Sequence, residues 1–274
     1  MIPTMLAAKI DEANGLIDEA VDRHARGKRV TAVCLLFSGG GDSTVLAHLL
    51  RHRATTAVHV NTGIGVEQTR QFVRDTCAAW GLPLIEECPP PGSTYRELVI
   101  ANGFPGPAHH WKMYQRLKER ALRAVRRRLV KNPRQERIVF LAGRRREESA
   151  RRMNVPDMER EGSVVWVSPI VNWTDDDMTA YHLANPDLPI NEVSQLIHMS
   201  GECLCGAFAK KDEMKEVRFW FPKVGEEIDR LEADVRAAGH PAQRCVWGWG
   251  ADRTTKRSKS GPLCSSCSTR GEQS

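Results

Sequence analysis

The sequence predicts an α/β protein with an open, mostly parallel, doubly wound sheet and a C-terminal helical, cysteine-rich extension. Short apolar runs typical of buried strands alternate with segments of helical periodicity. A glycine-rich turn joins the first strand run directly to a helix, as in parallel sheets, and no hairpin turn separates the runs. Five of the eight cysteines follow residue 200, which sets the last part of the chain apart.

The individual elements follow from these patterns. Strands are predicted at residues 30–37, 57–61, 82–87, 138–143 and 164–168. Helices are predicted at residues 5–26, 43–53, 66–80, 93–102, 111–131, 174–185, 191–199, 211–221 and 225–238. The region from residue 239 lacks periodicity, which is typical of a segment that is disordered or held by ligands.

Three regions are therefore expected along the chain. Residues 1–28 are expected to form an N-terminal helix, and residues 29–200 an α/β domain. Residues 201–274 are expected to form a helical, cysteine-rich region.

Composition and charge narrow the class of protein. The chain has 274 residues, of which 41% are hydrophobic and 27% charged, so a soluble globular protein is expected. No apolar stretch reaches membrane-spanning length and the first residues lack an export pattern, which predicts a cytoplasmic protein without a membrane partner. The formal net charge of +6 favours an anionic partner.

The stretch Leu35–Thr44 (LLFSGGGDST) is the strongest local signal. A glycine-rich loop that enters a helix N-terminus offers free amides and the positive end of the helix dipole, which suit a phosphate. It is not a Walker loop, since no Gly-Lys-Ser/Thr follows. The phosphate-binding candidates are Ser38, Gly39, Gly40, Gly41, Asp42, Ser43 and Thr44.

The pattern S-G-G-x-D-S resembles the PP-loop of the adenine nucleotide alpha-hydrolase superfamily. Four further stretches, in the same order, resemble the PAPS reductase-like family within it. They are HVNTGIGVEQT (59–69), GRRREES (143–149), SPIVNWTDDDM (168–178) and LPINEV (188–193). Together with the loop, they extend the resemblance over residues 30–210.

The resemblance implies a set of site residues and a reacting centre. His59, Asn61 and Gly143 join the loop as nucleotide-binding residues, because they follow strands at the same sheet edge. Reaction occurs at the α-phosphorus of an adenine nucleotide. The predicted catalytic residues are Asp42, Ser43, Lys118, Arg144 and Arg145.

Each of these residue types suits a role at the phosphates. The arginines neutralise charge at the α-phosphate. Asp42 either caps the helix or helps to position Mg²⁺, which accompanies ATP or an adenylyl sulfate. Glu148 is expected to orient one of the two arginines.

Other stretches depart from the family. The chain has no Glu-Cys-Gly-Leu-His segment, which carries the catalytic cysteine of PAPS reductases, and no adjacent cysteine pair for a cluster-dependent reductase. In HHWKMYQRLK, Trp111 and Lys118 match the DNA-thiolating relatives, but Lys112 replaces their cysteine. These departures favour ATP-dependent adenylation coupled to sulfur transfer. A PAPS or adenylyl-sulfate reductase, or a non-catalytic subunit that binds nucleotide or nucleic acid, remains an alternative.

The C-terminal cysteines predict a metal centre. Cys203, Cys205, Cys264 and Cys267 offer four thiolates, with Cys245 as an alternative ligand. Thiolates of this kind bind zinc or a [4Fe–4S] cluster, and the superfamily resemblance favours the cluster.

The expected macromolecular partners are a nucleic-acid acceptor and a sulfur donor. The arginines of helix 111–131 either hold tRNA or DNA or are merely solvated, namely Arg116, Arg120, Arg123 and Arg127. The sulfur donor is a protein such as a cysteine desulfurase.

Overall fold

A computed structural model describes residues 4–149, 152–210 and 212–251. The α-helices are α1 (Thr4–Ala20), α2 (Gly41–Leu50), α3 (Glu67–Ala79), α4 (Tyr95–Asn102), α5 (His110–Tyr114), α6 (Arg120–Leu129), α7 (Asp175–Ala184), α8 (Glu192–Leu196), α9 (Glu213–Trp220) and α10 (Pro222–Ala237). The strands are β1 (Arg29–Leu36), β2 (Thr56–Val60), β3 (Leu84–Glu87), β4 (Glu136–Leu141), β5 (Met158–Glu161) and β6 (Val164–Val167). No helix within these described residues is both long and apolar enough to cross a membrane.

The six strands form one sheet in the order β3-β2-β1-β4-β6-β5. Strand β1 lies parallel to β2 on one side and to β4 on the other, and β4 lies parallel to β6. Strands β2 and β3 therefore lie on one side of β1, and the later strands β4, β6 and β5 lie on the other side of β1. This confirms the predicted open, mostly parallel sheet, with its switch point between β1 and β4.

Strand β5 differs from the sequence prediction. It runs antiparallel to β6, to which Gly162 and Ser163 join it in a tight turn with a positive φ of 60° at Gly162. The prediction of an alternating pattern without hairpins missed this strand. Its sequence, MERE, has charged residues at an exposed edge and so lacks the apolar signal of a buried strand.

The chain forms two compact units of discontinuous segments. Unit 1 comprises residues 1–59, 71–86 and 123–191 and contains the sheet's central strands. Its core joins α1, α2 and α7 to the sheet through buried side chains such as Ile17, Leu46, Val139 and Trp173. A capping box between Thr174 and Asp177 starts α7, as its sequence predicts.

Unit 2 comprises residues 60–70, 87–122 and 192–274. Its core gathers α4, α5, α9 and α10 around buried residues that include Tyr95, Phe104, Leu117 and Ile228. The predicted helix 111–131 corresponds to α5, a π-helical turn at Gln115–Glu119 and α6. The predicted division of the chain at residues 28 and 200 stays a prediction.

Candidate nucleotide-binding site

The carboxyl ends of β1 and β4 adjoin each other in unit 1. The two strands pair along their length, up to Leu35 opposite Leu141. Beyond β4, a Cβ atom on Gly143 would lie 3.1 Å from the carbonyl oxygen of Asp42 and 3.1 Å from the amide nitrogen of Ser43. This spacing is tight for a side chain, so glycine lets the loop after β4 approach the start of α2.

The loop after β1 presents the N-terminus of α2. Gly39 has a φ of 78°, which favours glycine, and its carbonyl oxygen accepts a 2.8 Å hydrogen bond from Nδ2 of the buried Asn191. The Thr44 amide donates to Gly40 O at 2.9 Å. The amides of Gly41, Asp42 and Ser43 precede this first helical bond and have no acceptor within the helix, which suits them to an anion.

Hydroxyl groups reinforce this loop. Ser43 Oγ donates to Gly40 O at 2.9 Å, and Ser38 Oγ lies 3.1 Å from Ser43 Oγ. Thr44 Oγ1 also donates to Gly40 O, at 2.9 Å. The two serine side chains thus meet at the start of α2, where each can turn a hydroxyl toward a phosphate oxygen.

Arg145 joins the loop to two carboxylates. Its Nε donates to Asp42 Oδ1 at 3.0 Å and its Nη2 donates to Asp175 Oδ1 at 2.8 Å. Its Nη1 donates to Trp173 O at 3.3 Å, and the residue is buried. Burial alone lowers the pKa of Arg145, but the two carboxylates outweigh burial and raise it. The guanidinium is therefore a fixed cation whose charge the two acids compensate.

The structure gives Asp42 a partner that its local sequence does not indicate. Gly40 occupies the N-cap position of α2, which has no side-chain capping hydrogen bond. The Asp42 carboxylate accepts a hydrogen bond from Arg145. A role for Asp42 in positioning Mg²⁺ stays a prediction.

The Arg144 side chain contacts different residues from those that Arg145 contacts. Its Nε donates to Ser168 Oγ at 2.9 Å, and its Nη1 donates to Glu159 Oε1 at 3.1 Å. Its guanidinium carbon lies 5.8 Å from the centre of the Trp166 ring. These contacts attach Arg144 to β5 and β6 rather than to Asp42, which separates its environment from that of Arg145.

Glu148 forms an ion pair with Arg152. Its predicted role in orienting Arg144 or Arg145 stays a prediction. Burial raises the pKa of Glu148 to about 7, and the charge of Asp42 contributes to the rise. Burial likewise raises the pKa of Asp42, although Arg145 opposes this. The two carboxyl groups thus interact beside the loop, and ionisation of one makes ionisation of the other less favourable.

The remaining predicted residues are divided between the two units. His59, in unit 1, is buried, and its Nδ1 lies 2.8 Å from Phe37 O, so it links β2 to the residue before the loop. Asn61 and Lys118 belong to unit 2. Asn61 Oδ1 accepts a 3.0 Å hydrogen bond from the Gly63 amide, and Lys118 lies in the π-helical turn at residues 115–119.

The described cysteines of the predicted metal centre belong to unit 2. The carbonyl oxygen of Cys205 accepts a 2.9 Å hydrogen bond from the Tyr95 hydroxyl. Cys203, which precedes it in the C-x-C pair, is partly buried. Cys245 Sγ donates to His240 O and Pro241 O at 3.3 and 3.5 Å. Within residues 4–149, 152–210 and 212–251, no three His, Cys, Asp or Glu side chains are grouped to hold a metal. Because Cys264 and Cys267 lie outside these residues, the four-thiolate centre stays a prediction.

Three contributors to the loop were missing from the predicted site. Asn191 holds the Gly39 carbonyl, Asp175 binds Arg145, and Arg152 pairs with Glu148. Asn191 lies in LPINEV, one of the stretches that resemble the family. Asp175 lies in SPIVNWTDDDM, another of these stretches, and Arg152 carries no sequence signal.

Comparison with known proteins agrees with the motifs. The model of the phosphoadenosine phosphosulfate reductase domain matches residues 32–200. The match covers more than half of the chain, so this protein belongs to the phosphoadenosine phosphosulfate reductase domain family. This confirms the resemblance drawn from the loop and the later stretches. No curated protein sequence matches the chain.

Similar solved structures come from several nucleotide-handling proteins. A phosphoadenylyl-sulfate reductase from Candida auris, in complex with phosphate, is 17% identical with a TM-score of 0.46, covering 68% of this chain and 84% of its own. An FMN adenylyltransferase from Candida glabrata, in complex with FAD and inorganic pyrophosphate, is 12% identical with a TM-score of 0.47, covering 70% and 60% respectively. An NMN synthetase from Francisella tularensis is 14% identical with a TM-score of 0.43, covering 80% and 95%.

Proposed function

We propose that this protein binds Mg²⁺-ATP at the loop before α2, reacts at the α-phosphate and transfers sulfur to an acceptor. Family membership supports an adenine nucleotide as the substrate class. One structural observation favours Mg²⁺-ATP over a metal-free sulfonucleotide. The arginines around the loop are already paired with carboxylates, Arg145 with Asp42 and Asp175, and Arg152 with Glu148.

The balance of charge gives the physical reason. The phosphate-binding amides of α2 have two interacting carboxyl groups, Asp42 and Glu148, beside them. A bare polyanion is repelled by these groups, whereas a nucleotide that brings a divalent cation is attracted by them. Carboxylate oxygens are hard ligands, and Mg²⁺ typically takes one or two of them together with substrate phosphates. Asp42 and Glu148 therefore fit Mg²⁺ in their chemistry and would hold it.

Bound Mg²⁺ would screen the phosphate charges. The residues of the chain do the rest: the amides of Gly41, Asp42 and Ser43 bind phosphate oxygens, and the hydroxyls of Ser38 and Ser43 orient them. Arg145 holds Asp42 in place.

In the proposed reaction, an acceptor oxygen forms a bond to the α-phosphorus and the bond to pyrophosphate breaks. The outer sulfur of a persulfide on a donor protein, such as a cysteine desulfurase, then bonds to the acceptor carbon and displaces AMP. A thiol reductant cleaves the resulting sulfur–sulfur bond, which leaves sulfur on the acceptor and returns the donor cysteine as a thiol, while the reductant becomes a disulfide. Lys118 and Arg144 stay proposed catalytic residues. We also propose that Cys203, Cys205, Cys264 and Cys267 hold a zinc or [4Fe–4S] centre.

The test measures nucleotide binding and pyrophosphate release. Calorimetry with ATP is expected to show binding that depends on Mg²⁺, and release of pyrophosphate is expected when a competent acceptor is present. Ser43→Ala should weaken binding, while Ser163→Ala, at the turn between β5 and β6, serves as the matched control. Glu148→Gln should weaken binding of Mg²⁺-ATP and strengthen binding of metal-free ATP, because it removes a carboxyl group that attracts the cation and repels bare phosphates.

A different result supports the reductase alternative. Metal-independent binding of an adenylyl sulfate, with no binding of ATP, would contradict the assignment of Asp42 and Glu148 to Mg²⁺. Release of sulfite in the presence of a thiol reductant would then identify a sulfonucleotide reductase.

A further inference from the structure

Unit 1 carries a cluster of exposed cations at the amino ends of its strands. The amino-end basic surface consists of Lys28, Arg127, Arg128, Lys131 and Arg134. The two arginines lie in the last turn of α6, and the other residues lie directly before β1 and β4. Of the five, Lys28 is partly exposed and the other four are exposed.

Backbone pairing brings these segments together. Arg29, the first residue of β1, pairs with Glu136, the first residue of β4. The amide of Arg29 donates to Gln135 O at 3.0 Å, and Lys28 Nζ donates to Gln135 Oε1 at 3.1 Å. The turn between α6 and β4 therefore lies beside the residue that precedes β1.

The charges of this surface are not compensated. Arg127, Arg128, Lys131 and Arg134 form no ion pair with any residue that the structure describes, and Lys28 binds a neutral amide. Eleven other arginines in the described part of the chain do have acidic partners, namely Arg23, Arg29, Arg53, Arg70, Arg74, Arg96, Arg144, Arg145, Arg146, Arg152 and Arg218.

The acid within this surface is already bound. The Glu136 carboxylate accepts bonds from the amides of Lys131 and Asn132 at 2.7 and 3.0 Å, and it pairs with Arg29. Since the residue is buried, it is placed to fix the turn rather than to neutralise the exposed side chains.

A purely local explanation covers only part of the surface. Cations in the last turn of a helix are favoured by the helix dipole, which explains Arg127 and Arg128. Lys28 and Arg134 lie outside any helix. The dipole therefore does not explain why cations from a strand start and a turn join those of α6.

We propose that the amino-end basic surface binds the phosphate backbone of a nucleic acid. Clustered, solvated cations without acidic neighbours attract phosphodiesters by releasing their condensed counterions. The surface lies at the opposite end of β1 from the nucleotide loop, and eight strand residues span about 25 Å. It therefore holds nucleic acid by its backbone away from the loop, as a docking surface that is separate from the nucleotide site.

The test compares two triple variants of the full-length protein. Arg127→Gln/Lys131→Gln/Arg134→Gln removes three cations from the surface. Lys223→Gln/Arg230→Gln/Arg236→Gln removes three exposed cations from α10, whose sequence interleaves acids with them. Both variants keep the rest of the chain, so both retain the basic residues after position 251.

The measurement is fluorescence anisotropy of a labelled duplex DNA over a salt series. The wild type should bind at low salt, and the first variant should bind at least about tenfold more weakly, with its salt slope reduced by about two to three. The α10 variant should bind as the wild type does. Saturating Mg²⁺-ATP should not displace the DNA, because the two sites are separate.

Other outcomes overturn the proposal. Absence of DNA binding at low salt, equal losses in both variants, or displacement by Mg²⁺-ATP would each do so. Vesicles of anionic phospholipid form a separate arm. If they bind the wild type and compete with the DNA, whereas neutral vesicles at equal lipid concentration do not, the surface serves a membrane instead. Circular dichroism melts of both variants report whether they fold. Because nucleotide binding is measured separately by calorimetry, failure here leaves the proposed function standing.

Discussion

The replacement Glu148→Gln should make the protein more stable at neutral and alkaline pH. Burial raises the pKa of Glu148 from its ordinary value of 4.5 to about 7. Between pH 4.5 and about pH 7, the Glu148 carboxyl group is ionised in the unfolded chain but keeps its proton in the folded chain. The folded state therefore binds more protons, and stability falls as the pH rises through this window. A neutral glutamine removes that loss.

The size of the gain follows from the shift. At about 1.4 kcal/mol for each pKa unit, ionised Glu148 costs the folded state about 3 kcal/mol above pH 7. The shift to about 7 is a net shift that already includes the opposing attraction of Arg152. We therefore expect a gain of about 3 kcal/mol at alkaline pH and little change near pH 4.5.

Urea unfolding followed by tryptophan fluorescence measures this difference at a series of pH values. The matched control is Glu147→Gln, because Glu147 is the adjacent carboxylate but its side chain is 49% exposed. The control should follow the wild-type pH profile. A Glu148→Gln protein that loses stability at alkaline pH, or that gains equally at all pH values, would refute the assignment of a buried, proton-retaining carboxyl group.

Three further predictions concern the loop, a buried histidine and a buried thiol. Gly143→Ala should lower the affinity for Mg²⁺-ATP by about 1 kcal/mol or more, because the added methyl group presses on the start of α2. Calorimetry measures the affinity, and Gly15→Ala is the control without such a loss, because a methyl group at Gly15 in α1 enters open space. Burial lowers the pKa of His48 although Asp187 opposes it, so stability should fall as the pH drops below 6.5, and thermal melts of His48→Gln should lack this fall. Cys245→Ala should lower the stability measured in a thermal melt by about 1–2 kcal/mol, since a buried hydrogen-bond donor is lost. Elemental analysis should find the zinc or iron content unchanged, and a loss of metal would identify Cys245 as a ligand.

Local chemistry made the loop predictable. Glycines after an apolar strand run, followed by small hydroxyl residues, suit an anion site in almost any tertiary context. The structure places the predicted strand end, the positive φ of Gly39 and the start of α2 within this one short stretch. The adjacency of β1 and β4 is a tertiary feature, and the register of the two strands establishes it.

Features with weak local signals were harder to predict. Strand β5 lacks an apolar pattern because it lies at an exposed edge, where β6 alone defines its conformation. The arginines of helix 111–131 are alike in sequence, but Arg120 donates to Ser93 and Arg126 donates to Ser163, whereas Arg127 and Arg128 remain exposed. Helical periodicity alone does not distinguish them, since each partner lies far along the chain.

The sequence by itself determined the class of protein, the glycine-rich loop and the alternation of helices with the parallel strands, because each depends on residues close together in the chain. Only the tertiary structure decided how the site is charged. Arg145 meets Asp42 across 103 positions, and Asn191 meets Gly39 across 152 positions. Contacts of this separation depend on the packing of the sheet and its helices, which brings the groups together and sets their burial. That burial, rather than residue type, is what raises the pKa of Glu148 and leaves two interacting carboxyl groups beside the loop.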